Sequence, residues 1–214
     1  IPSSLVGSEM CIRDRALASP HLEGFKSKNI PVLIMTDAID QFWLPMVGSF
    51  KEKKFTSITQ GKINLDELDS KNKDKKNKSN NDKDKQDKEY VDLIAQLKVV
   101  LGDQVKDIRL SSKLTDSPVC LVADEGDMDI AMEQLMAQRD SNYKGAPRIL
   151  EINGDHSLIK NMKSLLSKKE SNDLVSDAGT LLFEQARLME GKMPADPAQF
   201  SKIMNQFLLK AIPN

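Results

Sequence analysis

The stretch Val105–Ala123, VKDIRLSSKLTDSPVCLVA, decides how the second half of the chain folds. Its first part, Val105–Leu110, alternates apolar and charged side chains, which predicts an edge strand or a half-buried strand. Residues 113–118 end in Ser-Pro and predict a turn. The last part, Val119–Ala123, is a continuous apolar run of the kind that forms a buried strand. The stretch therefore predicts two strands joined through a turn.

A third strand and several helices are predicted around these two strands. Apolar residues at helical spacing predict a helix over Tyr90–Leu101, which Gly102 ends. Asp127–Arg139 predicts a methionine-rich helix, Arg148–Ile152 a third strand, and Ser157–Lys168 another helix. The sequence thus predicts an α+β (mixed α/β) fold with a small three-stranded sheet.

Two amphipathic helices close the sequence. Asp196 caps the second of them, with Pro197 in its first position. Their apolar stripes must be buried either against the sheet or against the same pair from a second copy, as a four-helix bundle. The residues predicted to form a dimer interface in the second case are Leu174, Ala178, Leu181, Leu182, Phe200, Ile203, Met204, Phe207 and Leu208.

Residues 16–66 predict the end of a separate α/β domain. Pro20–Ser27 predicts a short helix, and the apolar run Ile30–Met35 predicts a buried strand. Thr36-Asp37 is expected to cap a further helix, whose regular part Pro45 disturbs. Lys54–Thr59 is compatible with a second strand.

A charged segment separates this domain from the one at 90–214. Residues 71–89 contain no apolar side chain and consist almost entirely of Lys, Asp, Asn, Ser and Gln. Such a segment buries too little surface to offset its ordering entropy, so residues 67–89 predict a flexible linker. Its interleaved aspartates and its lack of aromatic residues argue against nucleic-acid binding.

The first residues are expected not to belong to the natural protein. Glu9–Arg15, EMCIRDR, looks like a translated sequencing adapter, so residues 1–15 are left out of the fold prediction. An ordinary disordered terminus is the alternative. No apolar core followed by a small-residue cleavage site, as in a signal peptide, is found there.

Composition and motifs argue against catalysis. The 214 residues carry a net charge of −1, and no apolar run approaches the about 20 residues that span a bilayer. No phosphate-binding glycine motif is present, and His21 and His156 have no partner at metal-ligand spacing. Cys11 and Cys120 are expected to be free thiols in a reducing cytoplasm. We therefore predict no catalytic, cofactor-binding or metal-binding residue.

Two groups of residues are candidates for contact with other proteins. Met128, Met132, Leu135 and Met136 share one helix face, which is either core or an adaptable apolar surface. Phe42 and Trp43 are adjacent on a helix and point in different directions, so one of them can be exposed for partner binding.

Four segments resemble the heat-shock protein 90 family. Val105–Pro118 resembles the segment that opens that family's C-terminal domain. Ile149–His156, ILEINGDH, is similar to the family's ILELNPxHP, with Gly154 where proline is usual. Val32–Asp40, VLIMTDAID, resembles the strand–helix junction near the end of its middle domain. The helix that begins at Asp196 resembles the family's last helix.

The resemblance spans residues 16–214 and implies a function. It implies the C-terminal part of a bacterial, cytoplasmic, ATP-dependent chaperone that binds non-native client proteins and forms a homodimer. ATP, Mg²⁺ and the catalytic arginine would belong to upstream domains, so this part alone would not hydrolyse ATP. The two contact groups match the family's client-binding positions, and the terminal helices match its dimer bundle. A chaperone of the heat-shock protein 70 class is a further implied partner. A purely structural dimerisation module is the alternative.

Overall fold

The computed structural model describes residues 9–37, 39–60, 63, 65, 76–139, 145–167 and 172–212. Within these ranges the chain has the mixed α+β architecture that was predicted. The helices are α1 (Glu9–Leu17), α2 (Glu23–Ser27), α3 (Asp40–Val47), α4 (Lys76–Leu101), α5 (Ile130–Arg139), α6 (Ser157–Ser167), α7 (Asn172–Met189) and α8 (Pro197–Ala211). The strands are β1 (Ser49–Phe50), β2 (Lys53–Lys54), β3 (Val105–Leu110), β4 (Val119–Val122) and β5 (Arg148–Ile152).

The larger sheet has the strand order β3–β5–β4. The central strand β5 runs parallel to β3 and antiparallel to β4. Every residue of β4 and β5 is buried, whereas β3 alternates buried and more exposed positions. The apolar run of β4 agrees with burial on both faces, and β3 has the polar alternation of an edge. The central strand β5 also buries Arg148 and Glu151, whose charges are paired with Glu133 and Arg109. The three predicted strands are confirmed.

One face of this sheet carries the main hydrophobic core. Helix α4 packs Tyr90, Leu93, Leu97 and Leu101 against it, and α6 and α7 complete the layer. Gly179 lets α7 approach α4 closely, since an added Cβ would overlap the side chain of Leu97. The residues at the centre of α7 therefore pack on the sheet of their own subunit.

The opposite face of the sheet is covered by the first part of the chain. A short 3-10 helix at Pro20–Leu22 continues into α2 and buries Leu22 and Phe25 there. Gly24 lies so close to the sheet that a Cβ at this position would be 2.6 Å from the carbonyl oxygen of Lys113. Ala123 extends the contact by a parallel bridge to Gln60.

Two predicted strands in this first part differ from the structure. Ile30–Met35 is not a strand, and Leu33 within it is 75% exposed. An apolar run forms a strand only when a neighbouring strand satisfies its backbone groups, and the described residues place none beside it. Of the predicted strand Lys54–Thr59, Lys54 belongs to the short hairpin of β1 and β2, while Phe55 and Thr59 each make a single backbone hydrogen bond, to Gly48 and Ala123.

The predicted helix cap before α3 also differs. The N-cap position falls on Ile39, and the carboxylate of Asp40 accepts the backbone N–H of Asp37 at 3.1 Å. Asp40, rather than Thr36-Asp37, therefore organises the start of this helix. Pro45 lies inside α3, which ends two residues later at Val47.

The charged segment is helical where the structure describes it. Residues 76–89 form the first part of α4, in contrast to the flexible linker that was predicted. Elongating a helix is far easier than nucleating one, so the packed residues 90–101 can propagate the helix back through the charged residues. Residues 67–75 lie outside the described ranges.

The predicted domain boundaries stay predictions. Residues 1–8 lie outside the described part of the chain, and Glu9–Leu17 forms α1.

Candidate functional site

A group of exposed apolar side chains surrounds α3 and the hairpin after it. Met46 is 86% exposed and Phe42 39%. We define the α3 surface as Ile39, Phe42, Met46, Val47 and Phe50, all of which are exposed. Large apolar side chains clustered on a surface usually mark a contact with another molecule.

The two adjacent aromatic residues of α3 have different environments. Trp43 donates its indole N–H to Asp40 Oδ1 at 2.8 Å and meets the ring of Phe55 edge-on, with 6.2 Å between ring centroids. Trp43 is therefore half-buried and fixed, while its neighbour Phe42 belongs to the exposed surface. The prediction that one of the two is exposed is confirmed.

A tight turn holds Phe50 at the edge of this surface. Lys51 and Glu52 both have positive φ, 48° and 64°, which is the backbone of a two-residue hairpin turn matched to the twist of its strands. Side chains other than Gly and Asn are uncommon in this conformation. The turn makes β1 and β2 a short hairpin next to α3.

The methionine-rich helix is partly exposed. It begins at Ile130 rather than at Asp127, so Met128 precedes it and is exposed. Met132 and Met136 are half-buried, and the side chain of Leu135 lies outside the described part. Among the described side chains of α5, the buried ones are Ile130 and Glu133. The methionines therefore lie at the border of the helix face that packs inward.

A buried charged network holds α5 in place. Glu133 and Arg148 are 3% and 4% exposed and form an ion pair between α5 and β5. Arg148 Nη1 also donates to the carbonyl oxygen of Met128 at 2.9 Å. Lys192, in the turn between α7 and α8, lies 3.2 Å from the second carboxylate oxygen of Glu133. This network joins three elements that are distant in sequence.

The terminal helices present one apolar face inward and another outward. On α8, Ile203 is buried and Phe207 packs against the main core. The outward face, which we call the α8 stripe, consists of Met204, Leu208, Leu209 and Ile212. Leu209 is 76% exposed. A helix that buries its full apolar content within one subunit would not leave such a row in water.

The residues predicted for a dimer interface divide into three sets by their exposure. Ala178, Leu182 and Ile203 are buried within the subunit, because α7 packs on the sheet and α8 packs on α7. Met204 and Leu208 are exposed, and so are Leu209 and Ile212, which the prediction did not name. The remaining four, which are half-buried, are Leu174, Leu181, Phe200 and Phe207.

A carboxylate clamp joins the first part of the chain to the turn after β3. Glu23 accepts the backbone N–H groups of Thr115, Asp116 and Ser117 at 2.8 to 3.1 Å, and the Ser117 hydroxyl at 2.5 Å. Burial acts to raise the pKa of Glu23, but these hydrogen bonds outweigh it and hold the pKa below its usual value of 4.5. The turn predicted at 113–118 thus serves as an anion-binding concavity for Glu23.

Further buried polar groups lie beside this clamp. Lys113 is buried and donates to the carbonyl oxygen of Gln60 at 2.8 Å, and its burial lowers its pKa. Glu151 accepts hydrogen bonds from Arg109 at 2.8 Å and from Ser111 at 2.8 Å. These contacts satisfy polar groups that the sheet and the first part of the chain bury together.

The described cysteine and histidine side chains have structural rather than catalytic surroundings. Burial raises the pKa of the free thiol of Cys120 well above 9.0, which leaves it protonated and unreactive. His156 Nδ1 accepts the backbone N–H of Leu158 at 3.1 Å. The side chain of Cys11 lies outside the described part. Within the described residues, no three His, Cys, Asp or Glu side chains gather closely enough to hold a metal ion.

Membrane insertion has no helical candidate in the described ranges. None of their helices combines the length and the apolar character needed to cross a bilayer.

Exposed apolar faces on an α+β frame are features of proteins that contact other proteins. Comparison with known families agrees with a protein that contacts other proteins. The family model described as Hsp90 protein matches residues 11–213, and the chain belongs to the Hsp90 family.

Curated relatives narrow the similarity within the family. The chain is 41% identical over 196 residues to the chaperone protein HtpG of Roseobacter denitrificans, which covers 91% of the chain and 31% of that protein. It is 38% identical to the HtpG of Paramagnetospirillum magneticum over 93% of the chain and 32% of the relative. It is 36% identical to the HtpG of Streptomyces coelicolor, over 87% of the chain and 28% of the relative. The chain thus spans about a third of the length of these relatives.

Proposed function

We propose that this chain is the client-contact and dimerisation part of an ATP-dependent chaperone. It binds non-native protein and pairs with a second copy of itself, while ATP and Mg²⁺ bind in the portion of the relatives that the chain does not match. The observation that carries this proposal is the α8 stripe, an unpartnered apolar row on the last described helix.

Dimerisation is supported by the position of this stripe. Met204 and Leu208 are spaced by four residues on one side of α8, and Ile212 follows directly after the helix ends. A twofold axis beside α8 would bring the same row from a second copy against it, and α7 would complete a four-helix bundle. Burying an exposed leucine contributes up to about 1.5–3 kcal/mol, so two such rows supply enough free energy for a stable pair.

Client binding is supported by two surfaces of a different kind. The α3 surface exposes aromatic and flexible side chains, among them Phe42 and Met46. Met132 and Met136 add partly exposed methionines on α5. Methionine adapts to many shapes, which suits a surface that must accept varied unfolded sequences.

Nucleotide chemistry, location and cochaperones complete the proposal. Since the chain matches only about a third of its relatives, we expect it to hydrolyse no ATP by itself. We further propose that the whole protein works in the cytoplasm and that a chaperone of the heat-shock protein 70 class is one of its partners.

Light scattering on the full chain tests dimerisation. We expect a dimer at micromolar concentration, and we expect Leu208→Glu to give a monomer because it buries an unpaired charge in the interface. Gln206→Glu is the matched control, since it adds the same charge at an exposed position on another side of α8. A wild-type monomer, or a Leu208→Glu dimer, contradicts this part of the proposal.

Suppression of aggregation tests client binding. The full chain is mixed with a heat-denatured model protein, and turbidity is followed for the wild type, Phe42→Asp and Met132→Asp. We expect both variants to suppress aggregation less, with unchanged circular dichroism. Thr56→Asp adds the same charge to an exposed loop position and serves as control.

The results also separate the proposal from its alternative. A wild-type dimer that never suppresses aggregation would identify a purely structural dimerisation module. Unfolding by Met132→Asp would show that the methionine face is core.

A further inference from the structure

The turn between α7 and α8 is rigidly built. Gly191, at φ +80°, ends α7, and its N–H donates to the carbonyl oxygen of Leu188 at 2.9 Å. Arg187 Nη2 donates to the carbonyl oxygen of Met193 at 2.9 Å. At the far side of the turn, the buried carboxylate of Glu184 accepts the N–H of Ala195 at 3.1 Å. The turn therefore moves as one piece with the end of α7.

Lys192 projects from this turn to α5. Its ammonium nitrogen lies 3.2 Å from Glu133 Oε1 and 3.2 Å from Glu190 Oε2. The other oxygen of Glu133 is paired with Arg148 of β5. Glu133 thus receives one cation from the sheet and one from the turn that leads into α8.

Helix α5 depends on this carboxylate for its attachment. The loop before it is held by Met128, through Arg148, and by Asp129, whose Oδ2 accepts the Thr59 hydroxyl at 2.9 Å. Among the side chains of α5 that the structure describes, the buried ones are the first, Ile130, and Glu133. The position of the helix axis is accordingly set by where Glu133 is held.

The two cations have different consequences for stability. Removing Arg148 would leave a buried carboxylate without its closest partner, which is strongly destabilising in protein interiors. Removing Lys192 leaves the Arg148–Glu133 pair intact, because Lys192 approaches from the partly exposed side. Loss of Lys192 should therefore free α5 without unfolding the sheet.

We propose that Lys192 is a positioning residue that sets the place of α5, and with it Met132 and Met136, from the turn that begins α8. The inference rests on the proposed function, because α5 is a client surface and α8 a dimerisation element only within that proposal. Through the carboxylate of Glu133, Lys192 then couples the position of the turn before α8 to the position of Met132 and Met136.

Amide hydrogen exchange on the full chain tests this assignment. Lys192→Met keeps the length of the side chain and removes its charge. We expect exchange of the α5 amides to become about tenfold faster, the factor expected for one hydrogen bond to a charged group. Exchange should stay unchanged in β5 and in α7 before its last turn, where Lys192 also pairs with Glu190. Lys192→Arg should restore protection of α5, and Lys202→Met, at an exposed position of α8, should not affect it.

The same samples keep this inference separate from the proposed function. Unchanged α5 exchange in Lys192→Met overturns the positioning role, whether or not the chain dimerises. Equal acceleration across α5, β5 and α7 overturns it too, since Lys192 would then be a general stability residue. Faster exchange confined to α5 supports it even if light scattering finds a monomer, and in that case only the proposed function fails.

Discussion

The burial of His21 predicts a loss of stability in mild acid. This side chain is 7% exposed, and its ring nitrogen Nδ1 is buried with no hydrogen-bond partner among the residues that the structure describes. Burial lowers its pKa from 6.5 to about 4, and the positive charge of Lys113 acts in the same direction, while Asp129 and Glu23 oppose it. The folded chain therefore keeps His21 neutral at pH values where the unfolded chain protonates it.

The direction and size of the effect follow from proton linkage. Between pH 6.5 and about 4 the unfolded state binds more protons at this residue, so the free energy of unfolding falls as the pH falls. Each pH unit in this interval costs about 1.36 kcal/mol. We expect the wild type to lose about 2 kcal/mol between pH 7 and pH 5, and about 3 kcal/mol by pH 4.

Urea unfolding followed by circular dichroism measures this effect. His21→Phe fills a similar space without a titrating group, so it should lose about 2 kcal/mol less than the wild type between pH 7 and pH 5. His156→Gln, which changes a histidine outside this cluster, should keep the wild-type pH dependence. Equal losses in the wild type and His21→Phe would refute the argument, because other groups would then cause the acid sensitivity.

Three further predictions concern packing and charge. Arg148→Met should lower the free energy of unfolding by about 3–5 kcal/mol by leaving Glu133 without its partner, and Arg148→Met with Glu133→Leu should recover part of this in the same urea assay. Full additivity of the two changes would contradict a coupled pair. Gly24→Ala should cost about 1–3 kcal/mol, because its Cβ would press on the Lys113 carbonyl oxygen; a stabilised variant in thermal unfolding would contradict this. Cys120, studied without the other cysteine, should react with a thiol reagent only as fast as the chain opens; immediate labelling would show an accessible thiolate.

The three-stranded sheet was predictable because each strand is a short run bounded by turn residues. Ile149 and Val122, both buried, belong to short apolar runs. Such a run can be recognised from neighbouring residues in the sequence alone. Ile30–Met35 has a similar composition and still forms no strand. Apolar content signals affinity for a neighbouring surface, whereas strand formation also requires a partner backbone, which the composition of a segment does not specify.

The candidate surfaces were only partly predictable for a related reason. Periodicity identified apolar stripes on the last two helices, but it could not tell that Leu182 faces the sheet while Leu208 faces solvent. The signal for the additional exposed residues was the apolar sequence Phe207-Leu208-Leu209, followed after Lys210 by Ala211 and Ile212. The network around Glu133 left no sequence signal, since its partners Arg148 and Lys192 are 15 and 59 residues away. Pairing over such separations is decided by the fold.

The helical form of residues 76–89 changes how the length of this segment matters. In a coil, one residue more or less would scarcely alter what the two ends can reach. In a continuous helix, one inserted residue advances the preceding residues of that helix by 1.5 Å and turns them by about 100° around the axis. Changes of seven residues nearly restore the original direction, and single insertions do not. Insertions and deletions in residues 76–89 should therefore come in steps of about seven residues. The charges of the side chains can vary more freely than the number of residues.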